Sequence, residues 1–110
     1  MNALRNKVQL IGHVGQEPEI KTFEGGKKLA NITLATNESY TNAKGEKVEQ
    51  TEWHRLTAWG KTADLIESYV IKGKEIAVEG KLTHRSYDDK DGVKRYITEV
   101  VISDLLLLGK

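Results

Sequence analysis

TEWHRLTAWGKTADLIESYVIKG, residues 51–73, changes its hydrophobic period half-way along. From 51 to 60 it reads at the period of a strand, whose successive side chains point to opposite faces. Thr51, Trp53, Arg55, Thr57 and Trp59 share one face, and Glu52, His54, Leu56, Ala58 and Gly60 the other. From 61 onward apolar residues recur at Leu65, Ile66, Tyr69 and Val70, which is helical spacing, with Thr62 available as N-cap and Gly73 just past the end. A strand that hands over to one short helix is the pivot around which the rest of the chain is arranged.

Upstream, KVQLIGHV (7–14) is a strand with Val8, Leu10 and Val14 in phase and Gly12 at a bulge or bend. GQEPEIKTFEGGKK (15–28) is turn-rich, and its Gly25-Gly26 pair signals a hairpin. LANITLATN (29–37) is the second strand, and polar TNAKGEKVEQ (41–50) reads as a protruding, mobile hairpin loop. Downstream of the helix, EIAVEGKLTHRSY (75–87) returns to period two, with Ile76, Val78, Leu82 and His84 on one face and Ala77, Lys81, Thr83, Arg85 and Tyr87 on the other. Asp91-Gly92 makes a hairpin turn, RYITEVVI (95–102) is the fifth strand, and DLLLLGK ends the sequence. Three strands, one helix and two strands predict an all-β chain: a five-stranded OB-fold, a Greek-key barrel with one short helix between strands three and four, in a single domain over 1–110.

With 17 basic and 16 acidic residues the net charge is +1, so any attraction for a polyanion must come from local arrangement. The absence of cysteine excludes disulfides, thiolate zinc sites and thiol nucleophiles. The N-terminus MNALRNKVQLIGHVG has no long apolar run or cleavage signature, so no signal peptide or membrane span is expected, and the cytoplasm is the expected compartment. Gly60-Lys61-Thr62 resembles the end of a phosphate-binding loop, but the earlier glycine that such a loop needs is replaced by Arg55. His13, His54 and His84 lie on separate elements without metal-ligand spacing. No catalytic constellation, metal or cofactor is predicted, and the chain is not expected to be an enzyme.

The tryptophan face carries Arg55 between two indoles, and an unpaired charge is strongly disfavoured in a core. A ligand with flat rings and negative charge would use all of it. Bases stack on aromatic side chains at about 1–3 kcal/mol each, whatever their sequence. Trp53 and Trp59, six residues apart, stand about 20 Å apart along a strand, too far to sandwich one base and suited to separate stops along an extended one. Arg55 between them suits a phosphate or a stacked ring. Arg85 and Tyr87 repeat the pattern on the fourth strand, and Tyr40 stands at the end of the second. The alternatives are tryptophans packed at a subunit interface or in a minor core, and an aromatic face that meets a protein, an oligosaccharide or RNA. Tyr69 and Tyr96 read as structural, Tyr69 on the helix's apolar stripe, while Lys44 and Lys47 suit either solvent or nucleic acid.

NKVQLIGHVGQEPE, LANITLATNESY, EQTEWHRLTAWGK, VEGKL and RYITEVV, in this order across nearly the whole chain, resemble the bacterial single-stranded DNA-binding protein family. The resemblance implies an OB-fold homotetramer that wraps single-stranded DNA with little sequence preference. Such a protein protects the strand during replication, recombination and repair, in the cytoplasm at the nucleoid. Family stacking positions fall on Tyr40, Trp53, Trp59 and Tyr87, and family basic positions on Lys7, Arg55, Lys61, Lys72 and Arg85. His54 matches a histidine at a subunit contact. Tyr40 and Tyr87 stand where better-known relatives have tryptophan, and Thr83 and Ser86 where a basic residue is common, so fewer phosphates should be neutralised per subunit and salt dependence should be shallower. Family members usually continue into a flexible segment with an acidic tip that recruits replication and repair enzymes, and such recruitment is expected only of a form carrying that tip. The run Leu105–Leu108 is apolar on both faces and is predicted to pack within a subunit interface.

Overall fold

The computed structural model describes residues 5–108. The strands are β1 (Val8–Val14), β2 (Glu19–Thr22), β3 (Lys28–Thr41), β4 (Lys47–Trp59), β5 (Glu75–Asp88) and β6 (Lys94–Leu107), with helix α1 (Gly60–Tyr69) between β4 and β5. They pair in the order β1-β5-β6-β4-β3-β2, and β1 pairs also with β3. The expected five-stranded barrel is thus the ring β1-β5-β6-β4-β3, with β2 a short extra strand on its β3 edge. All pairings are antiparallel except β4 with β6.

Closure depends on Gly12. Its residue pairs with Ile76 of β5, while the next two residues of β1, His13 and Val14, pair with Ala35 and Leu34 of β3. A Cβ on Gly12 would lie 2.2 Å from the Ala35 carbonyl oxygen, a distance no side chain can hold. What reads in the sequence as a bend is the point where two backbones meet across the barrel seam. Leu34, Leu56, Ile66 and Ile76, from β3, β4, α1 and β5, are fully buried inside the ring, each contributing about 1.5–3 kcal/mol of apolar transfer.

The helix begins earlier than expected. Gly60 takes a left-handed φ of 61°, which turns the chain off β4 at once, so Trp59 occupies the N-cap position and Thr62 lies inside the first turn. Val70, buried on the core, is already extended, which ends the helix before Gly73. The buried stripe is Ala63 and Ile66 with Val70 beyond it, and Tyr69, expected on it, is exposed. Tyr96 is exposed as well, with the Lys94 ammonium 5.9 Å from its ring centroid. Lys28 on β3 ties the helix down through Asp64 at 2.9 Å and through Glu67. The hydrogen bonds that Lys28 donates to Glu67 and then to Asp64 push its pKa up to about 12.

The protruding hairpin at 41–50 is more strand than loop: β3 and β4 run on as a paired ribbon to Thr41↔Lys47, and Asn42–Glu46 makes a tight turn in which Asn42 Oδ1 accepts from the Lys44 and Glu46 amides. This ribbon and the β5–β6 ribbon project from the barrel, so the radius of gyration is 16.1 Å against about 13 Å for a compact chain of this length. The leucine run divides between two faces, as expected. The pairing steps from Glu79↔Asp104 to Gly80↔Ile102, leaving Ser103 as an extra residue in β6. That bulge flips parity, so Val100 and Ile102 before it and Leu105 and Leu107 after it all pack on this chain's own core, while Leu106 is exposed on the other face.

Candidate nucleic-acid interface

On β4 the alternation holds. Leu56 and Ala58 are fully buried, whereas Trp53 and Trp59 are 64% and 48% exposed, which removes the core reading of the tryptophans within this chain. Opposite them on β3, Trp53 meets Ala35, Arg55 meets Thr33, Thr57 meets Asn31 and Trp59 meets Leu29. Small and short side chains on β3 therefore leave the indoles standing proud. The Trp53 ring lies over Gly15, where a Cβ would come within 2.4 Å of Cζ3. His54 is half-buried on the reverse face, its Nε2 2.9 Å from Thr36 Oγ1.

The same face continues onto β2, where Lys21 pairs with Leu29 and so shares a row with Trp59. Just past β2, Phe23 stacks on Trp59, with ring centroids 6.1 Å apart and planes at 28°. Both rings stay about half exposed, so the stack occupies part of Trp59 and adds a second aromatic surface beside it. Phe23 is absent from the residues singled out in the sequence, although its closeness to Gly25-Gly26 and its parity with Lys21 were there to be read.

In the other direction the face crosses β6 to β5. Glu99 of β6 is 8% exposed; its Oε1 accepts from Arg85 Nε at 2.9 Å and its Oε2 from the Thr57 hydroxyl at 3.0 Å. Arg55, Arg85 and Glu99 line one groove with Asn31, Thr33 and Glu19, of about 240 Å³. Small-molecule sites run to about 300–1,000 Å³, so this is a depression in an extended face, not an enclosed cofactor pocket. Arg55 makes no ion pair among the described residues. Tyr87 lies two residues along β5 from Arg85 on the same face, opposite Arg95.

The remaining predicted residues are dispersed. Tyr40 is exposed, but its pairing with Val48 puts it on the face of the ribbon that carries His54, not the one that carries Trp53. Lys7 is engaged by Glu79 at 3.1 Å; that contact, then Gln9, lowers the Glu79 pKa. Lys61 is exposed in the first turn of α1 beside Trp59, and Lys72 is exposed in the segment after the helix, where its backbone N–H donates to Glu17. Lys44 lies in the β3–β4 turn and Lys47 opens β4. At the other hairpin, Asp89 accepts from Arg95 and from the Val93 and Asp91 amides, and these bonds, Arg95 first, lower its pKa. No group of three metal-ligating side chains occurs among the described residues, and no helix among them is long and apolar enough to cross a membrane.

The profile described as "Single-strand binding protein family" matches residues 5–108. This chain belongs to that family. Single-stranded DNA-binding protein 1 of Chlorobaculum tepidum is 48% identical over 105 residues, covering 94% of this chain and 65% of that relative. The chain thus spans about two thirds of the relative's length. A solved Plasmodium falciparum SSB complex with ssDNA superposes with a TM-score of 0.89 at 38% identity, covering 99% of this chain and all of that one. A deletion mutant of the single-stranded DNA binding protein from Thermus aquaticus superposes with a TM-score of 0.82 at 30% identity, over 94% of this chain and 50% of that one. Both neighbours carry the barrel found here, so the family supplies the fold class independently of the strand order.

Proposed function

We propose that the Trp53–Arg55–Trp59 face binds single-stranded DNA with little sequence preference, by base stacking and phosphate contacts, without catalysis. The observation that carries this reading is the exposure of both indoles on one face of β4, with the Arg55 guanidinium between them making no ion pair among the described residues. Stacking on Trp53, Trp59 and Tyr87, with Phe23 added, offers surfaces that every base can use. Arg55, Lys61 and Lys72 supply cationic contacts, and Lys7 does so only if it leaves Glu79. Tyr40, on the reverse of the β3–β4 ribbon, joins when the strand passes around the ribbon edge. The assembly is a homotetramer with His54 at a subunit contact, acting in replication, recombination and repair in the cytoplasm at the nucleoid. Recruitment of enzymes by an acidic tip belongs to forms that carry one.

The test is titration with a dT oligomer while tryptophan fluorescence is followed, in competition with matched duplex and RNA. Strong quenching that weakens with salt and is not competed by duplex is expected. Equal affinity for duplex, or no quenching, refutes the reading; preference for RNA refutes the choice of DNA. Sedimentation at micromolar concentration should give a tetramer, and a monomer overturns the assembly.

A further inference from the structure

The two arginines of the groove are not equivalent. Arg55 makes no ion pair among the described residues, whereas Arg85 is bound through Nε to Glu99. The Glu99 side chain is 9% exposed against 57% for Arg85. A carboxylate this deeply buried requires a compensating charge, because removing one partner of a buried pair is strongly unfavourable. Its other oxygen is held by the Thr57 hydroxyl, which also lies 3.2 Å from Asn31 Oδ1 and directs its single proton to the nearer, charged acceptor. Glu99 is therefore fixed from two sides, and the guanidinium plane of Arg85 is fixed with it.

We propose that Glu99 is a positioning residue that divides labour between these arginines: Arg55 neutralises a phosphate, while Arg85, its charge already met, presents its outer N–H groups and flat face to a base. This rests on the single-stranded DNA reading above. The physical basis is counterion release. Salt dependence counts the phosphates that a cation newly neutralises, and a guanidinium compensated by a buried carboxylate adds no net positive charge. Arg85 has five N–H donors, of which Glu99 uses the one on Nε, so the four on its terminal nitrogens remain for a ligand. Immobilising the fork lowers the entropy lost when a base meets it. At the Arg85 end the carboxylate is Glu99 itself, on the neighbouring strand β6, whereas Glu17 and Glu19 line the far side of the groove.

The experiment measures dT-oligomer affinity against salt for the full chain and three variants. Arg55→Gln should make the slope of log K against log salt shallower by about 0.7. Arg85→Gln, which keeps a donor for Glu99, should leave the slope unchanged and weaken binding by about 2- to 5-fold at every salt concentration. Glu99→Gln, which keeps an acceptor but frees the Arg85 charge, should steepen the slope by about 0.7 and tighten binding at low salt. A role for Glu99 confined to stability would move none of these slopes. Equal slope losses for Arg55→Gln and Arg85→Gln, or an unchanged slope in Glu99→Gln, would overturn the division. If Arg85→Gln or Glu99→Gln does not fold, the double variant Arg85→Gln/Glu99→Gln, which removes both charges of the pair together, decides: its slope should match the unaltered chain while that of Arg55→Gln is shallower, and an equal loss overturns the division. Failure of the unaltered chain to bind the dT oligomer would instead defeat the single-stranded DNA reading, and is seen before any variant is made.

Discussion

Gly12 and Gly15 lie three residues apart at the same barrel seam, and adding one methyl group to each should have opposite consequences. In Gly12→Ala the new Cβ would sit 2.2 Å from the Ala35 oxygen and 3.0 Å from its carbon, both backbone atoms. Relief needs a displacement of about 1 Å between β1 and β3, where ordinary contacts begin above about 3.4 Å. The His13↔Ala35 and Val14↔Leu34 pairs close the ring at this point, and each hydrogen bond lost there costs about 0.5–1.5 kcal/mol. Overpacking adds about 1–3 kcal/mol. A total of about 3 kcal/mol is a large share of the 5–15 kcal/mol that holds a domain together. With a urea m-value of about 1–1.5 kcal/mol/M the midpoint should fall by about 2–3 M. In Gly15→Ala the obstacle is Cζ3 of Trp53, the far edge of an exposed indole that can swing aside. Stability should change by less than about 0.5 kcal/mol, while oligomer binding weakens because Trp53 is displaced. Urea titrations at one protein concentration, followed by circular dichroism, with dT titrations alongside, read both effects. A Gly12→Ala midpoint within about 0.5 M of the unaltered chain, or equal losses of stability in the two variants, would refute this account of the seam.

Trp53→Ala and Trp59→Ala should each weaken dT binding by about 1–3 kcal/mol without lowering the urea midpoint; unfolding would return these residues to a structural role. Phe23→Leu should weaken only oligomers long enough to reach the β2–β3 hairpin, and an equal loss at all lengths would mean that Phe23 acts solely by orienting Trp59. The Thr33 hydroxyl is buried without a hydrogen-bond partner, so Thr33→Val should stabilise the chain by up to about 1–3 kcal/mol; a lowered midpoint counts against that. Asp89 has a lowered pKa in the folded chain, so its contribution is present above the ordinary carboxylate value of 3.8 and is lost as pH falls through the folded value. The protection factor of the Val93 amide should fall as Asp89 is protonated, and Asp89→Asn should abolish that pH dependence.

The sequence by itself determined the parity of β4. Side chains on a strand alternate without exception unless a residue is inserted, so Trp53, Arg55 and Trp59 on one side and Leu56 and Ala58 on the other followed from spacing alone. The switch to helical period placed α1, although its boundaries moved because Gly60 turned the chain sooner than a Thr62 cap would have. Only the tertiary structure decided what depends on partners distant in sequence. The bulge at Ser103 exists because β6 must stay in step with β5, and it reassigned Leu105 and Leu107 to the core. Arg85 and Glu99, fourteen residues apart, look alike as exposed charges on period-two strands until pairing across β5 and β6 buries one of them. Phe23 became part of the face only when the β2–β3 hairpin folded it over Trp59. Local spacing fixes which way a side chain points, whereas its neighbours, and hence its burial and charge state, are properties of the closed barrel.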